Sequence, residues 1–249
     1  MRKLEDSQIV RWQIEELGNA PPQWLGLYRS GAVAALSVVA LMPVQMAVFI
    51  AFPPPDAVVG WFALFVRSPL IGLLDMDLLL IVDYVLMAIV FLAVCVALRR
   101  VSPSLAALAL VLELLAVAAH FASTTAIEML ALSRAYAQAA EGAEKTALIA
   151  AGRVLLARWD GTAFTFSYAR SAAAILAVGF AMLRSAGFAK SGGYAAVAVG
   201  VLSIVPANAG TPGLICSLLA LVTTAAWLTV VARDLSRMNR AVAHLSPAR

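Results

Sequence analysis

Charged residues are scarce in this chain, and long stretches have none. Asp, Glu, Lys and Arg make up 13% of the 249 residues, against about 25% in soluble domains. Residues 30–52 and 191–232 carry no charge, and three further runs carry only one or two ionisable groups each: 78–98, 103–127 and 162–183. A run of about 18 apolar residues is long enough to cross a bilayer as a helix. The composition leaves no room for a separate soluble catalytic domain and predicts an integral membrane protein.

Cysteine and histidine are also scarce, which argues against several kinds of site. Cys95 and Cys216 both lie inside predicted spans, so we expect their side chains to fill space between packed helices rather than to form a disulfide or a metal framework. The histidines are His120 and His244, and His244 lies in the C-terminal tail, which argues against a haem held by two histidines. HExxH, P-loop, GxSxG and CxxC motifs are absent. We therefore expect no cofactor, no metal site and no catalytic residue of these classes.

We expect no cleavable signal peptide in the first 29 residues, because they mix acidic and basic residues and lack an apolar core. Apolar residues from Val10 to Leu17 recur at helical spacing, which predicts an amphipathic helix on the cytoplasmic membrane surface. We expect residues 30–233 to form the transmembrane domain and residues 234–249 to form a basic cytoplasmic tail.

The apolar runs predict an all-α fold, a polytopic bundle of six transmembrane helices. Proline, glycine and arginine residues separate the runs and mark their ends. The six predicted spans are 30–52, 76–98, 103–127, 162–183, 193–206 and 213–232. Residues 57–72 are too short to cross alone, which predicts an interfacial or re-entrant segment. Residues 134–160 predict an external helical loop.

Lys and Arg set the expected orientation, since they are enriched in cytoplasmic loops. With six spans, all basic segments fall on one side: the N-terminal segment, Arg99 and Arg100, Arg184 and Lys190, and the arginines after residue 232. Five or seven spans would break this alternation. We predict a multi-pass protein of the cell inner (plasma) membrane with both termini in the cytoplasm. The net charge of +4 is attributed to this orientation signal and not to nucleic-acid binding.

Six short segments spread along the chain carry a resemblance to a known family. They are LLDMDLLL at 73–80, ALRRVSPSL at 97–105, AIEMLALS at 126–133, WDGTAF at 159–164, MLRS at 182–185 and VARDL at 231–235. Together they resemble a bacterial and archaeal membrane family catalogued as domain of unknown function 4386. The resemblance covers about residues 30–240 and implies a six-helix integral membrane protein. It implies no activity, ligand or catalytic residue.

Four ionisable side chains lie inside the predicted spans: Asp83, Glu113, His120 and Arg170. Such groups are costly in lipid and usually face the interior of a helix bundle. With a rise of about 1.5 Å per residue, Asp83, His120 and Arg170 lie at a similar depth on three helices, and Glu113 lies nearer the midplane. A buried ion pair between Asp83 and Arg170 is the structural alternative to a ligand site.

A polar stripe on the third predicted span consists of residues at helical spacing: Glu113, His120, Thr124 and Glu128. The stripe predicts an outward-facing polar cavity, with Asp75 and Asp77 at an acidic rim and Arg170 in the wall. His120 alone is better explained as a helix–helix hydrogen-bond partner than as a metal ligand.

We therefore expect a small amphiphilic or cationic ligand to bind in this cavity, in a transporter or a sensor. The predicted ligand-binding residues are Asp77, Asp83, Glu113, His120, Thr124, Glu128 and Arg170. Membrane lipids are the other expected partners. Two alternatives stay open: a structural or accessory subunit whose buried charges serve only helix packing, and an intramembrane enzyme.

Overall fold

The structure, a computed structural model, describes residues 24–205 and 209–245, with side chains as far as Arg240. All regular structure in these residues is helical, which confirms the all-α class. The predicted amphipathic helix before residue 24 and the end of the basic tail lie outside the described residues.

Ten α-helices and one turn of π-helix follow one another in this part of the chain. They are α1 (Leu25–Ala51), α2 (Val58–Arg67), α3 (Pro69–Leu73), the π-turn (Leu74–Leu78), α4 (Leu79–Leu98), α5 (Pro103–Ser123), α6 (Ala126–Gln138), α7 (Ala143–Trp159), α8 (Thr162–Arg184), α9 (Lys190–Leu202) and α10 (Gly210–Leu245).

Five helical stretches are long and apolar enough to cross a membrane: Leu25–Ala51, Pro69–Leu98, Pro103–Gln138, Ala143–Arg184 and Gly210–Arg240. Large apolar side chains such as those of Leu36, Leu108 and Val222 are exposed on these stretches, which suits helices surrounded by lipid. The predicted span at 193–206 corresponds to α9, which has only 13 residues. Length and composition therefore support a multi-helix membrane protein, with five stretches among the described residues that are able to span a membrane.

Proline marks several helix boundaries. Pro69 opens α3 and Pro103 opens α5, positions at which the missing N–H of proline leaves no helical hydrogen bond unmade. Pro53 follows shortly after the end of α1, where its ring disfavours further helix. The α5 and α8 helices begin at the predicted residues, 103 and 162.

The chain divides into two compact units, which are described separately. Unit 1 holds the described residues up to Val39, Leu86–Leu114 and those from Ala169 onward, and unit 2 holds Ala40–Val85 and Leu115–Tyr168. The predicted site residues are divided between them: Glu113 and Arg170 belong to unit 1, and Asp77, Asp83, His120, Thr124 and Glu128 belong to unit 2.

The core of unit 1 is built where α1, α4 and α10 pack closely. Phe91 and Trp227 are almost fully buried, with their ring centroids 5.9 Å apart. Gly31 permits the close approach of α1 to α4, because a Cβ at this position would collide with the Cβ of Ala93. Small residues at helix crossings are typical of membrane proteins.

The core of unit 2 is aromatic and comes mostly from α2. Trp61, Phe62 and Phe65 are buried against Met76 of the π-turn and Met129 of α6. The segment predicted to be interfacial or re-entrant therefore contains a helix that supplies the centre of a packed core. This core fixes the π-turn and the start of α6, which form the candidate site.

Candidate functional site at a helix break

A helix break separates α5 from α6 inside one of the five apolar stretches, Pro103–Gln138. The α5 helix ends at Ser123 and α6 begins at Ala126, with Thr125 in a non-helical conformation at φ −144° and ψ 8°. Thr124 is half-buried. The prediction of one continuous helical face from Glu113 to Glu128 is therefore wrong beyond Ser123, because helical periodicity does not extend through the non-helical residues.

Asp77, in the π-turn, caps the start of α6. Its Oδ2 accepts hydrogen bonds from the backbone N–H groups of Thr125 and Ala126, each at 2.7 Å. Its Oδ1 accepts one from the indole N–H of Trp159 at 3.0 Å. The first N–H groups of a helix have no partner within the helix, and a negative charge there is favoured. Asp77 is 2% exposed, so the predicted position at an exposed acidic rim is wrong.

The other side of the break is capped by Arg158 of α7. The Nε and Nη2 atoms of Arg158 both donate to the carbonyl oxygen of Ala122, at 3.0 and 2.7 Å. The neighbouring Trp159 also donates its indole N–H to the carbonyl oxygen of Met76 at 3.2 Å. The end of α7 thus contacts both the π-turn and the end of α5.

Three buried side chains of unit 2 carry polar atoms that have no hydrogen-bond partner among the described residues. The atoms without a partner are both carboxylate oxygens of Asp75, both ring nitrogens of His120 and the hydroxyl oxygen of Thr125. Asp75 and His120 are each 2% exposed, and Thr125 is fully buried. Buried polar groups in proteins are nearly always hydrogen-bonded. Asp75 lies two residues from the cap, His120 lies in the last turn of α5, and Thr125 lies in the break itself.

His120 stacks on Tyr84 of α4. The ring centroids are 4.0 Å apart and the planes differ by 7°. Stacking contacts the faces of the imidazole but gives its nitrogens no hydrogen bond. The imidazole ring is therefore held parallel to the Tyr84 ring, and its two nitrogens lie at the edge of the stack.

The remaining predicted site residues differ in their surroundings. Glu113 is 1% exposed in unit 1, where its Oε2 accepts a hydrogen bond from the hydroxyl of Ser171 at 2.9 Å. Glu128, in the first turn of α6, is exposed. Asp83 and Arg170 are both half-buried and belong to different units, so their ion pair stays a prediction.

A groove of about 270 Å³ lies elsewhere in unit 2, between the start of α2 and α7. Its walls include Asp56, Val58, Ile149, Arg153 and Leu156, none of which was a predicted site residue. The two charged side chains are exposed, so this groove is a shallow surface feature. No group of three or more His, Cys, Asp or Glu residues able to hold a metal ion occurs in the part of the chain that the structure describes.

Sequence reasoning missed Arg158 and Trp159 as elements of the site, because both fall in the polar loop region. One local signal for the break was present. Thr125 is followed three residues later by Glu128, and Thr-x-x-Glu is a typical pattern for the start of a helix. In the structure Asp77 provides the cap instead, and the Thr125 side chain makes no capping hydrogen bond.

No protein-family model, curated protein or solved structure matches this chain. The resemblance to domain of unknown function 4386 therefore stays a prediction that rests on short phrases. The described part of the chain is all-α, with several helices suited to a membrane.

Proposed function

We propose that this is a multi-pass membrane protein that binds a small cationic or amphiphilic ligand at the break between α5 and α6, as a transporter or a sensor. The observation that supports the proposal best is the break itself, accompanied by the buried and unpartnered polar atoms of Asp75, His120 and Thr125. Discontinuous helices at membrane depth are typical of transporter binding sites, because non-helical backbone is tolerated there only inside protein or beside a cavity.

The chemistry of these groups favours a cation. Once ionised, a carboxylate such as that of Asp75 only accepts hydrogen bonds, and an intramembrane charge requires a partner of opposite sign. The hydroxyl of Thr125 and a ring nitrogen of His120 add further acceptors. The exposed carboxylate of Glu128 places another negative charge in the first turn of α6.

Ligand binding is tested with the full chain in detergent, using sodium ions and tetraphenylphosphonium as separate probes. A probe at 100 times its dissociation constant should stabilise the folded protein by about 2.7 kcal/mol, measured by thermal unfolding and checked by native mass spectrometry. Asp75→Asn should reduce this stabilisation. Glu141→Gln, which changes a carboxylate whose side chain is 88% exposed, should leave it unchanged. The proposal fails if neither probe binds the wild-type protein.

We further propose six spans in the cell inner membrane with both termini in the cytoplasm. The one-sided basic residues support this topology: Arg99, Arg100, Arg184, Lys190 and Arg233. The 13 residues of α9 extend about 20 Å at 1.5 Å per residue, less than a hydrocarbon core of about 30 Å. A crossing at this position therefore needs residues outside α9 as well.

Cysteine labelling tests the topology in intact cells, in a variant that lacks Cys95 and Cys216. An impermeant reagent should label Ala143→Cys, on the external loop, and should miss Ser191→Cys until the cells are permeabilised. The opposite labelling pattern would refute the proposed orientation.

A structural or accessory subunit is the second candidate, and Asp77 favours it. The hydrogen bonds of Asp77 go to the backbone of α6 and to Trp159, so this intramembrane acid serves packing. The two candidates differ in the binding experiment, because a subunit whose polar residues serve only packing binds neither probe.

A further inference from the structure

Asp75 is a buried carboxyl group without compensation from the described protein. It lies in the π-turn, is 2% exposed, and accepts no hydrogen bond on either oxygen. Asp77 lies two residues away, is equally buried, and has both oxygens hydrogen-bonded. One turn of helix therefore contains two equally buried carboxyl groups, of which that of Asp77 is hydrogen-bonded and that of Asp75 is not. Asp77 is thus an internal reference for Asp75.

The elements packed against the π-turn do not supply a partner for Asp75. They are α2, α3, α6 and, through Trp159, α7. The titratable or charged groups on these elements and on the adjoining α4 are Arg67, Asp77, Asp83, Tyr84, Cys95, Glu128, Arg134, Tyr136, Glu144, Lys145, Arg153 and Arg158. None of them donates a hydrogen bond to Asp75. Arg158 is directed to the carbonyl of Ala122.

A buried carboxyl in this situation is stable in two forms. Burying a bare carboxylate is very costly, so the group either holds a proton or lies beside a cation. π-Helical turns occur frequently at functional sites. The position in a π-turn beside the cap of a helix break therefore suits a site that alternates between these two forms.

We propose that Asp75 holds a proton in the unliganded protein and exchanges it for a monovalent cation. This inference rests on the proposed function and names the exchange that accompanies ligand binding there. The O–H bond of the carboxylic acid breaks, the proton leaves to water, and the cation occupies a position beside the carboxylate. One positive charge enters as another leaves, so the apolar interior gains no net charge.

Proton release on binding is the direct test. The full chain in weakly buffered detergent receives sodium chloride or tetraphenylphosphonium chloride in separate experiments, and an indicator dye reports the protons released. One proton should appear for each cation bound. The apparent affinity should rise by up to about tenfold per pH unit while the free site is protonated. The sodium and tetraphenylphosphonium arms distinguish an inorganic cation from an amphiphilic one.

The matched variants are Asp75→Asn and Glu141→Gln. Asparagine resembles the protonated acid but cannot release the proton, so Asp75→Asn should abolish proton release and weaken cation binding roughly tenfold to a hundredfold. Glu141→Gln removes a carboxylate at the exposed loop and should behave as wild type. Binding without proton release, or release that Asp75→Asn leaves unchanged, overturns the exchange while the proposed ligand function stands. Absence of binding by both cations overturns both.

Infrared difference spectra keep the inference testable if Asp75→Asn does not fold. The wild-type protein should show a protonated carboxyl band that shifts in heavy water and disappears when the cation is added. A spectrum without such a band before cation addition overturns the proposal.

Discussion

Replacing Asp77 with alanine should destabilise the protein strongly, because one side chain satisfies three buried donors. Its carboxylate accepts hydrogen bonds from the N–H groups of Thr125 and Ala126 and from the indole of Trp159. Thr125 is 0% and Ala126 is 5% exposed, so water does not readily replace the lost acceptor. Asp77→Ala would therefore leave the start of α6 uncapped inside the core of unit 2.

The expected size of the effect follows from these donors. A buried donor left without a partner costs about 1–3 kcal/mol, and loss of an N-cap side chain costs about 0.5–2 kcal/mol. The variant no longer has to bury a carboxylate, which offsets part of the loss. We expect Asp77→Ala to lower the free energy of unfolding by about 3–5 kcal/mol. Asp77→Asn retains an acceptor for the two N–H groups and should cost about 1–2 kcal/mol.

The free energy of unfolding of the full chain is measured by titrating the protein in mixed micelles with sodium dodecyl sulfate. Asp56→Ala, at an exposed acid, is the control and should stay within about 0.5 kcal/mol of wild type. A double-mutant cycle between Asp77→Ala and Trp159→Phe should give a coupling energy of about 1 kcal/mol. If Asp77→Ala is as stable as Asp56→Ala, the capping argument is refuted.

One variant in each unit, together with a control in α1, tests the packing. Gly31→Ala should destabilise by about 1–3 kcal/mol, because the added Cβ would collide with Ala93. Gly26→Ala in the same helix meets no atom within 4 Å and should be neutral or stabilise by up to about 1 kcal/mol; equal thermal shifts in the two variants would contradict this. His120→Phe should keep the stack on Tyr84 and change the free energy of unfolding by less than about 1.5 kcal/mol, since the imidazole makes no hydrogen bond in the described part of the chain. A larger loss in the same micelle titration would show that its nitrogens are bonded.

Hydropathy predicted the long helices because a helix that crosses lipid must be apolar over most of its length. The predicted span 162–183 agrees with α8, Thr162–Arg184, and the predicted start of the third span at Pro103 is the start of α5. Burial of Glu113 and His120 was also predictable, since ionisable groups avoid lipid. Both are at most 2% exposed.

The break at Thr124 and Thr125 was not predictable from hydropathy, because the interactions that stabilise it are distant in sequence. The hydrogen bond from Thr125 to Asp77 spans 48 residues, and that from Arg158 to Ala122 spans 36. Threonine is compatible with both helix and turn, so the local sequence marked a possible helix start and no more. For the same reason, residue type could not distinguish Asp77, which is fully partnered, from Asp75, which is not.

The two caps of the break are made at different times during synthesis, which affects how the chain enters the membrane. Asp77 precedes the break and is ready when Thr125 emerges, whereas Arg158 is made 36 residues after Ala122. At about 5–20 residues per second the delay is about 2–7 s. An unmade backbone hydrogen bond in lipid costs several kcal/mol. The insertion machinery would therefore have to retain the α5–α6 segment until the end of α7 has been translated, so that the two enter the lipid together.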